Sequence, residues 1–430
     1  MRLAWILYQT AMASGLVLSA PFLLASRGRH YLQTLPGRLG FERPSPGLRD
    51  DLRGALWIHA VSVGEVGVAA TLARALPGDA PLLVTTVTPT GQARAREVFG
   101  GLDRPATVAY LPFDVGFAVG PFFRRFAPSG LILVEGDYWP LLLRETARRE
   151  IPVAVVNGRV GERAFARMQR APRLSGRLFF AGVDAFGVQT DEDRRRLIAS
   201  GAPPERVHTT GNLKYDTPPP SPKAELEDCV RALAAGRPIL IAGSTMAGEE
   251  EQVLDAYREI GAGERALLVL APRHPERWDA VARLAADGGF AVARRTALGA
   301  LEGDRADVLL LDSLGELAAL YAVADVAFIG GTLVPTGGHN PLEPAHFAIP
   351  TVVGPSMANF REIAAEFERA EAWRVVADRR GLARAWDDWL GDPRDARLRG
   401  DRARQLVADN RGALDRTLEL LRPLFFRRPG

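Results

Sequence analysis

Short, almost wholly apolar runs recur along the chain, each followed by a polar or glycine-bearing loop and then a helix-like stretch. ALWIHAV (55–61) is the first, leading into SVGEVG and the apolar VAATLARAL. APLLVTTV (80–87), PATVAYLPF (105–113), GLILVEG (130–136) and IPVAVVNG (151–158) repeat the pattern, with helical stretches such as TPTGQARAREVFG (88–100) between them. VDAFGVQT (183–190) and RVHTTGNLK (206–214) close this half. Runs of this length without polar alternation predict strands covered on both faces, and their alternation with helices predicts a parallel sheet. TPPPSPKAE (217–225) is a stiff, proline-rich break. A second series follows it: RPILIAG (237–243), RALLVLAP (265–272), DVLLLD (307–312), ADVAFIGG (324–331) and IPTVVG (349–354). The last stretch, from about Asp395 to Phe426, reads as helix. The pattern predicts an α/β protein of two doubly wound parallel-sheet domains with a cleft between them. The domains expected are 27–216 and 226–405, joined by a linker at 217–225 and closed by a C-terminal helix and tail at 406–430.

The N-terminus breaks this pattern. From Leu3 to Ser26 no residue is charged, a run of 24 residues, against the ~20 that span a bilayer core. Residues 1–26 therefore read as a membrane anchor, with Trp5 and Tyr8 suited to an interface. Arg27, Arg29 and Arg38 follow it and would hold the downstream chain on the cytoplasmic side. A cleaved signal peptide is the rival reading, but Arg2 alone would be its n-region and no A-x-A site follows. A buried helix is the third reading.

Composition adds little. The 430 residues are 47% hydrophobic and 24% charged, with net charge +3. That mild basicity does not call for nucleic acid. The single cysteine, Cys229, excludes an intrachain disulfide and a cysteine-based metal site.

In open α/β sheets, ligands bind beyond the carboxyl ends of the strands, so the loops there carry the candidate chemistry. Glu65 follows the first strand between Gly64 and Gly67. It is either a general base or a carboxylate complementing a helix start. A helix N-terminus lowers a carboxylate pKa, so a base there needs burial to offset it. VEGDYWP offers Glu135 and Asp137 at another strand end, Asp137 being equally readable as a helix cap. GNLKYD holds Lys214, one of two lysines among 54 basic residues, and a lysine is a compact point charge suited to a narrow cleft. In the second domain, Ser313 and Glu316 form a capping-box pattern. Asn340, Pro341 and Glu343 repeat it, with proline at the first helical position. Facing a cleft, two such helix starts would attract phosphate. The glycine loop GGTLVPTGGHN carries His339; APRHP carries Arg273 and His274; AGST carries Ser244 and Thr245. Anion binding thus gathers in the second domain and carboxylates in the first, a division that suits a glycosyltransferase. Arg163, Arg167, Arg170, Arg173 and Arg177 would share a helix face if Pro172 did not break it. They are either a solvated face or a contact for anionic headgroups and lipid phosphates.

HAVSVGEVG, VEGDYWP, VNGRV, GNLKYD, AGSTMAGEE, APRHPER, DSLGELAALYAVADVAFIGGT, GGHNPLEPA and GPSMANFREI occur in this order. On these stretches nearly the whole chain, its N-terminal segment included, resembles the 3-deoxy-D-manno-octulosonic acid (Kdo) transferases of lipopolysaccharide synthesis. The resemblance implies a GT-B fold and an inner-membrane enzyme on the cytoplasmic face. Its donor would be CMP-Kdo, its acceptor the lipid A precursor and its outcome inversion, with no metal or other cofactor. By the same resemblance Glu65 is the proton acceptor, and Glu135 and Lys214 stabilise the transition state. Pro272, Arg273, Leu314, Gly315, Glu316, Asn340, Pro341, Leu342 and Glu343 match the CMP-binding segments. Where the family reads V-E-T-E-L-W-P, this chain has Gly136 and Asp137, which puts the acceptor contact of Asp137 in question. The other readings are a different GT-B enzyme, such as a UDP-sugar transferase or 2-epimerase, and a membrane-bound nucleotide-sugar binder without activity.

Overall fold

The computed structural model describes residues 5, 8–16, 18, 32, 34–41, 54–300 and 305–426. They fall into two units, divided between Thr217 and Pro218 and again between Asp409 and Asn410, so that the C-terminal segment belongs with the first unit.

The first unit is built on seven strands: β1 (Leu56–His59), β2 (Leu82–Thr86), β3 (Ala106–Tyr110), β4 (Gly130–Val134), β5 (Val153–Gly158), β6 (Ala185–Val188) and β7 (Val207–Thr209). Their order is β3-β2-β1-β4-β5-β6-β7, and every pairing is parallel. Residues alternate between the two faces. Trp57, Leu131, Leu133, Val153 and Val155 enter one apolar cluster with Phe122, Phe123 and Phe126. Leu56, Ile58, Ile132, Val134, Ala154 and Val156 enter the other. Both faces are thus sealed, which is why the strands carry almost no polar alternation. Each large side chain so buried stabilises the unit by roughly 1.5–3 kcal/mol relative to exposure. The indole N–H of Trp57 satisfies its polar end by donating to Thr85 Oγ1 at 2.8 Å.

The second unit repeats the plan with β8 (Ile239–Thr245), β9 (Leu267–Pro272), β10 (Val292–Arg294), β11 (Val308–Leu310), β12 (Val326–Ile329), β13 (Thr351–Val353) and β14 (Arg374–Val375). Their order is β10-β11-β9-β8-β12-β13-β14, again all parallel. The sequence pattern misses β10 and β14, because both are edge strands of two or three residues that carry arginine.

The single helix expected from about Asp395 to Phe426 is two: Pro393–Asn410 and Ala413–Phe425. Gly412 separates them with φ +88°, a left-handed conformation that favours glycine. The carboxylate of Asp216 accepts from Gly412 N (2.7 Å) and Leu414 N (2.5 Å) and so caps the second helix. Ala413 and Leu421 of that helix are buried in the same cluster as Leu56 and Ile58.

The anchor expected over residues 1–26 lies largely outside the described residues, as do Arg27 and Arg29. Its described part is helical and docks on the first unit. Tyr8 OH donates to Asp114 Oδ2 at 2.6 Å, and the Arg144 guanidinium stacks over Trp5 at 4.6 Å. Among the described residues no helix is long and apolar enough to cross a membrane.

Candidate active site

The order of the first sheet reverses between β1 and β4, so the loops leaving these neighbours part and open a crevice. Glu65, Glu135 and Asp137 all follow those two strands. Helix Val63–Ala75 begins after β1 with Ser62 as its cap. Ser62 Oγ lies 3.5 Å from Glu65 N, and Glu65 reaches back so that Oε2 accepts from Val61 N at 2.8 Å. The Ser62 hydroxyl also donates to Glu65 Oε1 at 3.0 Å. This is a capping box, with its Ser-x-x-Glu signal readable in SVGE. It puts the carboxylate at a helix start, where it should be more acidic than usual. Burial nevertheless pushes its pKa above the ordinary value, and the nearby charge of Glu135 adds to the rise. The lowering influences of Val61, Ser62 and His59 are outweighed.

Glu135 stands just beyond β4 with φ +62°, and Asn157, opposite it on β5, has φ +54°. Non-glycine residues held there are uncommon and cluster at functional sites. Asn157 Oδ1 accepts from Leu213 N at 2.9 Å, and its amide points at Glu135 Oε1 from 3.5 Å. That bond ties the GNLKYD turn to β5, while Leu213 and Tyr215 are buried completely. Lys214 is thereby set 3.2 Å from Glu135 Oε1, with its side chain 18% exposed. Arg159 takes the other oxygen at 2.9 Å. A thin-stemmed point charge fits beside a carboxylate whose other side already holds a guanidinium, which accounts for lysine at this position. The sequence reading missed Arg159 and Asn157 as site residues, although both lie in the quoted VNGRV.

Asp137 accepts from Trp139 Nε1 at 2.8 Å and faces His59 Nε2 at 3.2 Å through the same oxygen, Oδ2. Burial raises its pKa, but the hydrogen bond and charge of His59 and the bond from Trp139 together bring it below the ordinary carboxylate value. Asp137 does not cap the following helix. That role falls to Asp114, whose two oxygens accept from Leu141 N and Leu142 N at 2.9 and 2.8 Å. Gly136 has φ +104°, and a Cβ there would lie 3.1–3.3 Å from the Tyr138 side chain. The departure from threonine at this position therefore goes with the tyrosine beside it.

Arg163 and Arg167 are exposed on helix Glu162–Met168. The helix ends before Pro172, which opens a separate short turn, Pro172–Ser175. The five arginines are all exposed but do not share one continuous helix face.

In the second unit the sheet reverses between β8 and β12. Arg273 is exposed just past Pro272, the last residue of β9. Leu314 is 68% exposed and Gly315 has φ +75°. Glu316 is tied by Arg295 through two bonds of 2.9 and 3.0 Å, by the Ser313 hydroxyl, and by Lys223 at 3.7 Å. Burial alone would raise its pKa, but Arg295, Ser313 and Lys223 together lower it. The helices expected to start at these glutamates are shorter than the patterns suggest. They run Leu317–Leu320 and Leu342–His346, and neither has a side-chain cap at its first residue. Asn340 Oδ1 still accepts from Leu342 N at 3.1 Å, and its amide donates to Glu343 at 3.2 Å. Burial pushes Glu343 up, against the bond from Asn340 and the charge of Arg273. Burial also pushes His339 down to about 4, helped by the positive charges of Arg273 and His274. These four residues therefore share one electrostatic environment.

Glu249 is the missed residue here. It is fully buried, and its carboxylate accepts from Gly331 N (2.6 Å), Thr332 N (3.0 Å), Leu333 N (2.9 Å) and Met246 N (3.2 Å). It clasps the glycine loop after β12 across the switch point. Its only signal was its place in AGSTMAGEE.

Two doubly wound parallel sheets, each with polar groups at a strand switch, define the class: an α/β protein of GT-B-like fold. The same fold is found in a Staphylococcus aureus MnaA–UDP co-structure, with TM-score 0.54 and 14% identity over 88% of this chain and 99% of that one. The family described as "3-Deoxy-D-manno-octulosonic-acid transferase (kdotransferase)" matches residues 33–217. The 3-deoxy-D-manno-octulosonic acid transferase of Haemophilus influenzae is 35% identical over 417 residues, 94% of each chain. That of Bordetella pertussis is 35% identical over 398 residues, 90% of each chain. The chain belongs to the Kdo transferase family.

Proposed function

We infer that the protein is an inverting glycosyltransferase that moves Kdo from CMP-Kdo onto the lipid A precursor in lipopolysaccharide synthesis. The observation that carries the mechanism is Glu65, a carboxylate of raised pKa beside the Glu135–Lys214–Arg159 cluster. Glu65 takes the proton from the attacking acceptor hydroxyl. The new bond forms at the anomeric carbon of Kdo while its bond to the CMP phosphate breaks, and CMP leaves with the electron pair. Lys214, held by Glu135, supplies a fixed positive charge for the transition state. Pro272, Arg273, the Leu314–Gly315–Glu316 turn and Asn340 to Glu343 hold CMP. The neutral His339 and the exposed Arg273 suit a doubly anionic donor. Arg273 supplies positive charge for the departing phosphate.

Asp137 contacts the acceptor sugar. Residues 1–26 hold the protein at the cytoplasmic face of the inner membrane, and Arg163 and Arg167 meet anionic headgroups or the acceptor's phosphates. The uncharged run from Leu3 to Ser26 and the exposure of both arginines support this placement. The test is release of CMP from CMP-Kdo with and without lipid acceptor. Release that depends on the acceptor supports the reading. Acceptor-independent turnover of UDP-sugars instead would favour the epimerase alternative.

A further inference from the structure

A fully buried imidazole stands behind Asp137, and the reaction as written leaves it without a role. His59 is 0% exposed. Its Nδ1 lies 2.8 Å from Thr85 Oγ1 and 3.1 Å from Thr85 O. Thr85 Oγ1 accepts the Trp57 indole N–H at 2.8 Å, so the threonine is itself held in place beside Nδ1. Nε2 faces Asp137 Oδ2, which can only accept when ionised, so Nε2 carries a proton. The chain Trp57, Thr85, His59, Asp137 is hydrogen-bonded at every link, and Trp139 closes it from the other end at 2.8 Å. All of these bonds enter Asp137 through Oδ2. Its Oδ1 takes no hydrogen bond from any described residue, and the side chain is 33% exposed where His59 is sealed. An ionised carboxylate with one oxygen pinned by two donors and the other bare is a built acceptor for an O–H group.

We propose that His59 is a positioning residue for the transfer reaction, fixing Asp137 so that its bare oxygen receives a hydroxyl of the acceptor sugar and sets that sugar beside Glu65. The proposal rests on the transferase reading. His59 touches no substrate; it acts through Asp137. Two donors on one carboxylate oxygen, one of them fully buried, also restrain the carboxyl from rotating, which is what orienting a sugar requires.

The experiment measures kcat and the KM of each substrate for wild type, Asp137→Asn, His59→Leu, His59→Gln and the double variant His59→Leu/Asp137→Asn, using CMP-Kdo and a lipid A precursor. His59→Leu and Asp137→Asn are each expected to raise the acceptor KM about tenfold to a hundredfold, the worth of a hydrogen bond to a charged group. The KM for CMP-Kdo stays unchanged. His59→Gln keeps an N–H donor toward Asp137 and recovers most of the loss. The double variant is no worse than Asp137→Asn alone, because both changes break one linkage. An unchanged acceptor KM in Asp137→Asn overturns the proposal even if His59→Leu fails to fold. Multiplicative effects in the double variant overturn it too. Wild-type protein that transfers nothing overturns the transferase reading and this inference with it.

Discussion

Glu65→Gln separates two roles that meet in one side chain. In the capping box Glu65 Oε2 accepts from Val61 N and Oε1 accepts from the Ser62 hydroxyl. Glutamine keeps a carbonyl oxygen for Val61, and its amide can donate to the Ser62 hydroxyl, so the helix start is retained. Alanine loses both contacts and should cost ~0.5–2 kcal/mol, the usual value of a cap. The linkage sign favours glutamine further. Burial raises the folded pKa of Glu65, so stability from this group is full at low pH and lost as pH rises through the folded value. Near neutral pH the ionised carboxylate is therefore a cost that glutamine removes, and Glu65→Gln should unfold at the same denaturant concentration as wild type or a higher one. That advantage should vanish at pH values below the ordinary glutamate range. Catalysis should move the other way. Loss of a positioned base lowers kcat by about 10²–10⁴-fold, with acceptor and donor KM little changed. The same raised pKa predicts a wild-type acid limb in kcat/KM above the ordinary glutamate value, because Glu65 must be deprotonated to act. Single-turnover transfer and urea unfolding of the same samples measure both effects. A Glu65→Gln protein that keeps more than about a tenth of wild-type kcat would refute the assignment of the base. One that loses stability as alanine does would refute the argument from burial.

His339→Gln should flatten the acid stability profile. The ring is pushed from 6.5 to about 4, so the unfolded chain takes up the proton first and stability is lost as pH drops across that window, by ~3 kcal/mol at most. Urea unfolding at several pH values checks this. Charge reversal in Arg163→Glu/Arg167→Glu should weaken binding to anionic liposomes or raise the acceptor KM, with stability within about 0.5 kcal/mol because both side chains are exposed; unchanged values of both would remove the lipid contact. Tyr8→Phe takes one of three donors from the buried Asp114, leaving Leu141 N and Leu142 N. It should cost ~1 kcal/mol and expose the N-terminal helix to limited proteolysis sooner than in wild type.

Strands buried on both faces announce themselves as unbroken apolar runs, which is why the interior strands β1, β4, β8 and β9 were legible and the edge strands β10 and β14 were not. The candidate carboxylates were legible for the same reason, since they follow the strands at once. What joins them was not. Lys214 meets Glu135 only because Asn157 on β5 ties Leu213 down, and His59 meets Asp137 only because β1 and β4 are neighbours. Neither pairing has a local signature. The left-handed backbone of Glu135 has none either, since nothing about a glutamate marks positive φ. Around Glu316 and Glu343 the local signal misled: Ser-x-x-Glu and Asn-Pro-x-Glu mark helix starts, but helices of four and five residues followed. The Ser313 hydroxyl went to the Glu316 carboxylate instead, while Asn340 Oδ1 accepts from Leu342 N alone. At Ser62 the same signal marked a true capping box.

The most direct test is a mass spectrum of the lipid A precursor after incubation with the detergent-solubilised protein and CMP-Kdo, with Glu65→Gln as control. Addition of one or more Kdo residues by the wild-type protein, and none by the variant in the same time, is the expected result. No addition by wild-type protein that is folded and binds CMP would contradict it. The carboxylate and cation cluster at the first switch point would then serve another acceptor or none.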